Sequence, residues 1–454
     1  MCGLYAARRL AAAGVRVTVI EKLDRVGGLA ASMERDGVHY DLGVKHLHAH
    51  DGEIFKDIQS LMGDDLLSVE LNAKIRFGKQ FRKYPLKLAD LLGGIPPWTI
   101  AWLFGGLSLQ QVLNHFSKAT PRNAEEALIQ LYGGPLYRYF FRDFTHRYWG
   151  IPPTELSATF VSRKMPRLGA VDLLKQFFAR LGSKSSYATD VENALAEETL
   201  YYSREGAIAI PRRLSQTIES DGGTVITGAM VTGLKMADGE DGSAGAGGGV
   251  RQVVYQDTNG EHALDCDHVI NTIPLPHLVR LMEPACPQEV ALSASQLRFR
   301  PIVVYGLLVK RRGILGALYV YYRNRMFHRI AEPTESGLDS KRPGHGVLLV
   351  ECTCSKGDVV WEDTAEAKER LFEDLVAEGV VSPEEVVGIH HQRTEFGYPM
   401  FALGFEEHYD RVAEFVNKIP NLDSVGRQGA FCYPNMHETM RQGSDAADRI
   451  LGLK

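Results

Sequence analysis

The chain has 454 residues, 44% hydrophobic and 24% charged, enough to bury a large core spread over two or three domains. Its formal net charge of -5, with both signs interspersed, argues against a polyanion partner, so no nucleic-acid binding is expected. Six cysteines are scattered over the whole length and only Cys352 and Cys354 lie close together, which excludes a disulfide scaffold and offers no metal-ligand spacing; a reducing, cytoplasmic setting and no metal site are expected.

The segment Met1 to Lys22 reads as the second half of a dinucleotide-binding βαβ unit. A helix from about Gly3 to Ala13 stops at Gly14, a strand runs Val15 to Ile20, and Glu21 follows. Gly3 stands where the third glycine of G-x-G-x-x-G belongs, and Glu21 where an acid accepts ribose hydroxyls. The strand and the first two glycines of that fingerprint do not precede it, although those glycines let backbone approach a pyrophosphate at the positive end of the helix. Met1 is therefore expected to be an internal residue of a longer protein, and the parallel sheet to lack its first strand. Gly27 and Gly28 follow the acid, and Gly43 closes Tyr40-Asp41-Leu42-Gly43; each permits close backbone approach to a ligand. Taken alone, these features suit an ordinary αβ unit and a plain turn as well as a nucleotide site.

Further along, Lys74 to Lys87 interleaves basic and aromatic residues, as either a solvated hairpin or an anion-binding lip. The apolar stretch Trp98 to Leu109 is interrupted by Gly105 and Gly106 and is too short to span a bilayer, so a buried or surface-dipping helix is expected and no membrane span. Gly206 precedes a helix carrying Arg212 and Arg213. The low-complexity run Asp238 to Gly249 reads as the loop of a long hairpin, because Thr224 to Leu234 and Val250 to Gln256 both carry strand signals. Asp267 to Pro274 reads as a strand stopped by proline, Val347 to Cys352 as another, and Met436 onward as a helix to Leu451.

The E-K-x-x-x-x-G-G run from Glu21 to Gly28 and the D-x-G of Asp41 to Gly43 resemble the FAD-binding half of glutathione-reductase-like flavoproteins, in the amine oxidase and protoporphyrinogen oxidase superfamily. Late in the chain, Gly426-Arg427-x-Gly429 through Tyr433-x-Asn435-Met436 is similar to that group's last flavin segment. The resemblance implies FAD, with Glu21 and the adjacent Lys22 at the adenosine ribose. Gly3, Gly27, Gly28 and Gly43 would lie along the cofactor, and the Val231 backbone beside the adenine. Arg427 would stand near the pyrophosphate, and Gly426, Asn435 and Met436 at the flavin. It implies an α/β fold, a glutathione-reductase-like FAD-binding Rossmann domain with an inserted mixed α+β substrate domain. The cofactor domain would comprise 1–50, 205–290 and 395–454. The substrate domain would comprise a mainly helical 51–204 and an antiparallel sheet at 291–394.

Within the superfamily, Tyr139-Phe140-Phe141 to Tyr148-Trp149-Gly150, Phe327-His328-Arg329 to Glu332, Tyr398-Pro399 and Tyr433 look like UDP-galactopyranose mutase-like flavoproteins. Carried over, Arg329 binds a substrate diphosphate as a rigid fork, Tyr398 and Tyr433 add phenolic donors, Trp149 walls the nucleotide pocket, and Arg167 is a second phosphate arginine. In such mutases reduced flavin attacks the anomeric carbon through N5 and the sugar ring reopens and recloses, which demands anion clamps more than a general base. His48 lies in the same block. Lys45 stands where the mutases carry a histidine and is similar to a lysine beside the flavin in some amine oxidases; Cys432 replaces a basic residue. Three readings stay open: a nucleotide-sugar mutase; an FAD oxidoreductase of amines or porphyrinogens; and a truncated, non-catalytic binding protein. The reductant partner expected for the flavin is NAD(P)H or a reductase.

Overall fold

The computed structural model describes residues 1–78, 80–84, 95–116, 119–164, 198–237 and 248–453. Its first helix, Cys2–Ala12, buries Leu4, Tyr5, Ala7, Leu10 and Ala11 and ends before Gly14, whose φ of 80° reverses the chain. That helix packs between Ala209–Ser220 and the last helix, Met436–Ile450, in a cluster that joins Leu4, Tyr5 and Ala7 to Ile210, Leu214 and Met440. Beneath it lie two separate parallel strand pairs, Thr18–Ile20 with Thr224–Ile226 and Val269–Asn271 with Leu422–Ser424. Val17 beside the first pair and Ile270 within the second both pack against the cluster of Ala6, Leu10 and Ala447. Among the described residues no strand joins the two pairs.

The segments flanking the low-complexity run form the expected hairpin, Met230–Met236 against Val250–Asp257, while residues 238–247 of its loop lie outside the described residues. The D-x-G motif has an internal structural task. Asp41 is buried and accepts hydrogen bonds from Ser32 Oγ (2.5 Å), Tyr202 (2.5 Å) and the Ala207 amide (3.1 Å), clamping the Ser32–Arg35 and Val38–Asp41 hairpin to the chain entering the Ala209 helix.

A seven-stranded sheet forms the other half. Its order is Val386–Pro399, Phe299–Val309, Gly346–Thr353, Arg329–Ala331, Tyr319–Tyr321, Ala73–Phe77, Gln80–Tyr84. The central strands Phe299–Val309 and Gly346–Thr353 are nearly continuous apolar runs because both faces are covered. Leu371 and Leu375 of helix Ala365–Ala377 lie on one face, and Val38 and Tyr40 on the other. Within 291–394 every pairing is antiparallel, and the sheet is extended by both strands of the basic aromatic hairpin from the 51–204 segment, with Tyr319–Tyr321 and Ala73–Phe77 running parallel.

Helices Ala124–Leu136 and Arg142–Trp149, joined by a π-helical turn at Tyr137–Phe141, form the remaining wall. The apolar stretch expected at Trp98 to Leu109 becomes helix Pro97–Phe116, which buries Leu103, Phe104 and Leu107 while Trp98 is 75% exposed. No helix among the described residues is long and apolar enough to cross a membrane.

Candidate active site and cofactor cavity

A cavity of about 2090 Å³ lies between the half built on the first and last helices, the seven-stranded sheet and the helical wall. A single small-molecule pocket occupies roughly 300–1,000 Å³, so this one has room for a dinucleotide and a second ligand together. Glu21, Lys22, Gly27, Gly28 and Val231 line one part of it. Gly3 and Cys2 at the start of the first helix, Gly426, Arg427, and Asn435 and Met436 at the start of the last helix line another. Asn435 caps the last helix in a reciprocal box with Glu438. Two helix N-termini and Arg427, whose Nη2 donates to Pro434 O at 2.8 Å, thus concentrate positive potential on one region of the cavity. Gly28 has a φ of 58°, and a Cβ built there meets nothing within 4 Å, so the backbone is bared to the cavity. An acid for ribose hydroxyls, bared glycine backbone and a cationic middle are the donor set that a flavin dinucleotide requires.

The opposite side of the cavity rests on strand register. Arg329 lies directly opposite Glu351 on one neighbour and opposite Tyr321 on the other, so the three side chains share one face of the sheet. Arg329 donates through Nε (2.9 Å) and Nη2 (2.7 Å) to the two oxygens of Glu351, and through Nη1 to the Tyr321 hydroxyl at 3.3 Å. Glu351, 1% exposed, also accepts the Val44 amide at 2.9 Å. This approach explains Gly43: with φ at 84°, a Cβ there would stand 2.6 Å from Glu351 Oε1. Gly43 therefore makes room for the carboxylate rather than lining the cavity.

Around Arg329 the wall is aromatic. Tyr148 packs on Tyr398 (ring centroids 5.6 Å apart), Trp149 (5.3 Å) and His328 (4.8 Å). Arg300 donates to Tyr148 O at 3.1 Å and lies opposite Tyr398 in the sheet, tying the helical wall to the strand. Tyr433 stands behind this wall, against Phe401 (4.8 Å) and Trp149 (6.0 Å). Lys45 Nζ donates to Leu42 O at 2.7 Å and faces the cavity. Arg323 does so too, held by Tyr139 O at 2.8 Å.

Charge states follow from these surroundings. Burial works against the Glu351 carboxylate, but Arg329 and His328 together outweigh it and hold the group well below the usual range. Burial likewise opposes the Arg329 cation, and Glu351 with Tyr321 and Tyr398 together more than compensate. Burial pushes the Tyr148, Tyr398 and Tyr433 phenols up, so they are neutral donors near pH 7. Burial, reinforced by Arg427 and Arg329, lowers Lys45 to about 8. It lowers His46, 2.7 Å from Ser336 Oγ, to about 4.

The cavity thus gathers Gly3, Glu21, Lys22, Gly27, Gly28, Lys45, His48, Trp149, Val231, Arg329, Tyr398, Gly426, Arg427, Asn435 and Met436. It leaves Gly43 and Tyr433 one layer back, and Arg167 lies outside the described residues. Sequence reasoning passed over Glu351, Tyr321 and Tyr148. An acid inside the apolar run Val347 to Cys352 was the available sign for Glu351, since a buried carboxylate demands a partner.

A family model described as flavin containing amine oxidoreductase matches residues 1–451. Among solved structures, a reduced UDP-galactopyranose mutase superposes with a TM-score of 0.79 at 20% identity, covering 99% of this chain and 92% of that one. A protein described as a protoporphyrinogen oxidase from an Exiguobacterium species gives 0.69 at 16% identity over 100% and 96%. A wild-type putrescine oxidase bound to putrescine gives 0.60 at 16% over 99% and 96%. At these identities the structures attest the fold, and the family match supplies the membership. The chain belongs to the flavin-containing amine oxidoreductase family, an enzyme family whose cofactor is FAD.

Proposed function

We propose that this flavoenzyme acts on an anionic substrate and interconverts the ring forms of a nucleotide sugar. One observation carries the reading: Arg329, locked by Glu351 into a fixed orientation in the cavity wall, presents a permanent cation beside the Tyr321 hydroxyl and the neutral phenol of Tyr398. A diphosphate is recognised by such a preorganised fork with phenolic donors beside it. Arg323 and protonated Lys45 add positive charge to the same cavity, which disfavours a cationic amine there. When bound and reduced, FAD would supply an electron-rich ring for the reaction. The protein's own residues orient the diphosphate through Arg329, wall the nucleotide with Trp149, and exclude water with the Tyr148 and Tyr398 rings. The flavin would lie along Gly3, Gly27, Gly28, Gly426 and Arg427, with Glu21 on its ribose and Asn435 and Met436 at its ring end.

The test is turnover of dithionite-reduced protein with UDP-galactose and its furanose isomer. Isomer exchange under reducing conditions, abolished on reoxidation, is the expected result. No exchange with either sugar, together with oxygen consumption on putrescine or a porphyrinogen, overturns the reading. Arg329→Lys is expected to raise the Kd for UDP about tenfold or more with flavin content intact.

A second reading, net oxidation of an amine or porphyrinogen, draws support from the aromatic faces of Tyr148, Trp149 and Tyr398 and from Lys45, which loses its proton near pH 8. Rapid reduction of the bound flavin by such a substrate under anaerobic conditions distinguishes it.

A further inference from the structure

The sequence His46-Leu47-His48-Ala49-His50 alternates histidines at the period of a strand, which sets them on one side of the chain. His48 pairs with Leu200 in antiparallel register, and continuing that register sets His50 opposite Glu198. The side chains meet there: Glu198 Oε1 lies 2.6 Å from His48 Nδ1 and 2.8 Å from His50 Nε2. The three donor atoms lie within 4.8 Å of one another. His437, from the first turn of the last helix, sets its ring beside this group of three. It is 5% exposed, its Nδ1 is buried with no hydrogen-bond partner, and its ring packs edge-on against both other imidazoles.

We propose that His48, His50, Glu198 and His437 form a binding site for one divalent transition-metal ion of the zinc class. Without a metal, a single carboxylate oxygen must accept from two imidazole N–H groups while a third imidazole nitrogen is left buried and unsatisfied. A cation at the centre replaces both protons and satisfies the third ring. The spacing fits. With zinc–nitrogen bonds of about 2.0–2.1 Å and a ring radius of about 1.2 Å, tetrahedrally arranged imidazoles have centroids about 5.2 Å apart. The three separations are 5.2, 5.4 and 5.9 Å. Imidazole with one carboxylate suits zinc-like ions and not the hard cations, which need more oxygen donors. Such a site ties together three distant parts of the chain at the edge of the cavity, which His48 and Glu198 both line.

The experiment is zinc titration of chelator-treated, flavin-loaded protein against a chromophoric competitor, with zinc-edge X-ray absorption on the loaded protein. One equivalent bound at micromolar Kd or tighter, with nitrogen and oxygen neighbours at about 2.0–2.1 Å, is expected. His50→Ala and Glu198→Gln should each weaken binding at least tenfold. Absence of stoichiometric binding overturns the proposal, as does a sulfur shell near 2.3 Å, which would assign the metal to cysteines. Unchanged affinity in either variant, shown folded by circular dichroism, overturns it as well. Should a variant not fold, the absorption spectrum of the unmodified protein decides by the same criterion.

Discussion

The two walls of the cavity are built from different materials. The wall proposed for the cofactor is mostly backbone: bared glycines, two helix N-termini and a cap, with Glu21, Lys22 and Arg427 among its charged side chains. The wall proposed for the substrate is mostly side chain, a largely buried ion pair on a sheet with phenols and an indole packed beside it. Backbone sites recognise what is common to all dinucleotides and tolerate change elsewhere. Side-chain sites depend on a few atoms, so single substitutions should damage them more selectively.

The largest expected effect is on the ion pair. Glu351→Ala leaves Arg329 buried without its counter-charge, and breaking a buried pair from one side costs about 3–5 kcal/mol. Urea unfolding measures it, and a loss under about 1 kcal/mol would mean that Glu351 does not anchor this wall. Its pH signature has a definite sign. A depressed carboxylate contributes stability that is present above its unfolded pKa, about 4.3, and lost as pH falls through the folded value, so the Glu351→Ala penalty should shrink in acid.

Gly43→Ala tests whether the glycine serves the pair. A non-glycine residue at that φ costs about 1–3 kcal/mol, and the added Cβ displaces Glu351. If the substitution instead removes flavin and spares stability, Gly43 belongs to the cofactor wall.

Lys45 should show itself in binding. Below about pH 8 it is a cation and above it a neutral amine, so affinity for UDP should fall as pH rises through 8. The inflection should vanish in Lys45→Met; its persistence there would assign it to another group.

Tyr321→Phe is expected to be mildest, removing one long hydrogen bond to Arg329 worth about 0.5–1.5 kcal/mol. A larger loss of UDP affinity than of stability would show the hydroxyl acting on the ligand.

The cofactor wall was the legible one. Gly3, Glu21, Gly27, Gly28, Arg427 and Asn435 occupy short, contiguous motifs whose spacing is dictated by a helix start or a tight turn, and all of them line the cavity. Arg329 stood out by its sequence block, but its partner did not: Glu351 is 22 residues away, joined to it by strand register. The histidine cluster was equally hidden, because His48 and Glu198 are 150 residues apart and His437 arrives from the last helix.

What the sequence determined by itself was therefore the local chemistry: where backbone is bared, where helices begin, and which strands are apolar enough to be buried. Only the tertiary structure decided which charges meet. A one-residue change of register would carry Glu351 to the opposite face and leave Arg329 without a counter-ion, although every local propensity would be unchanged. Strand pairing across distant segments is set by the burial of whole sheet faces, and no short motif encodes it.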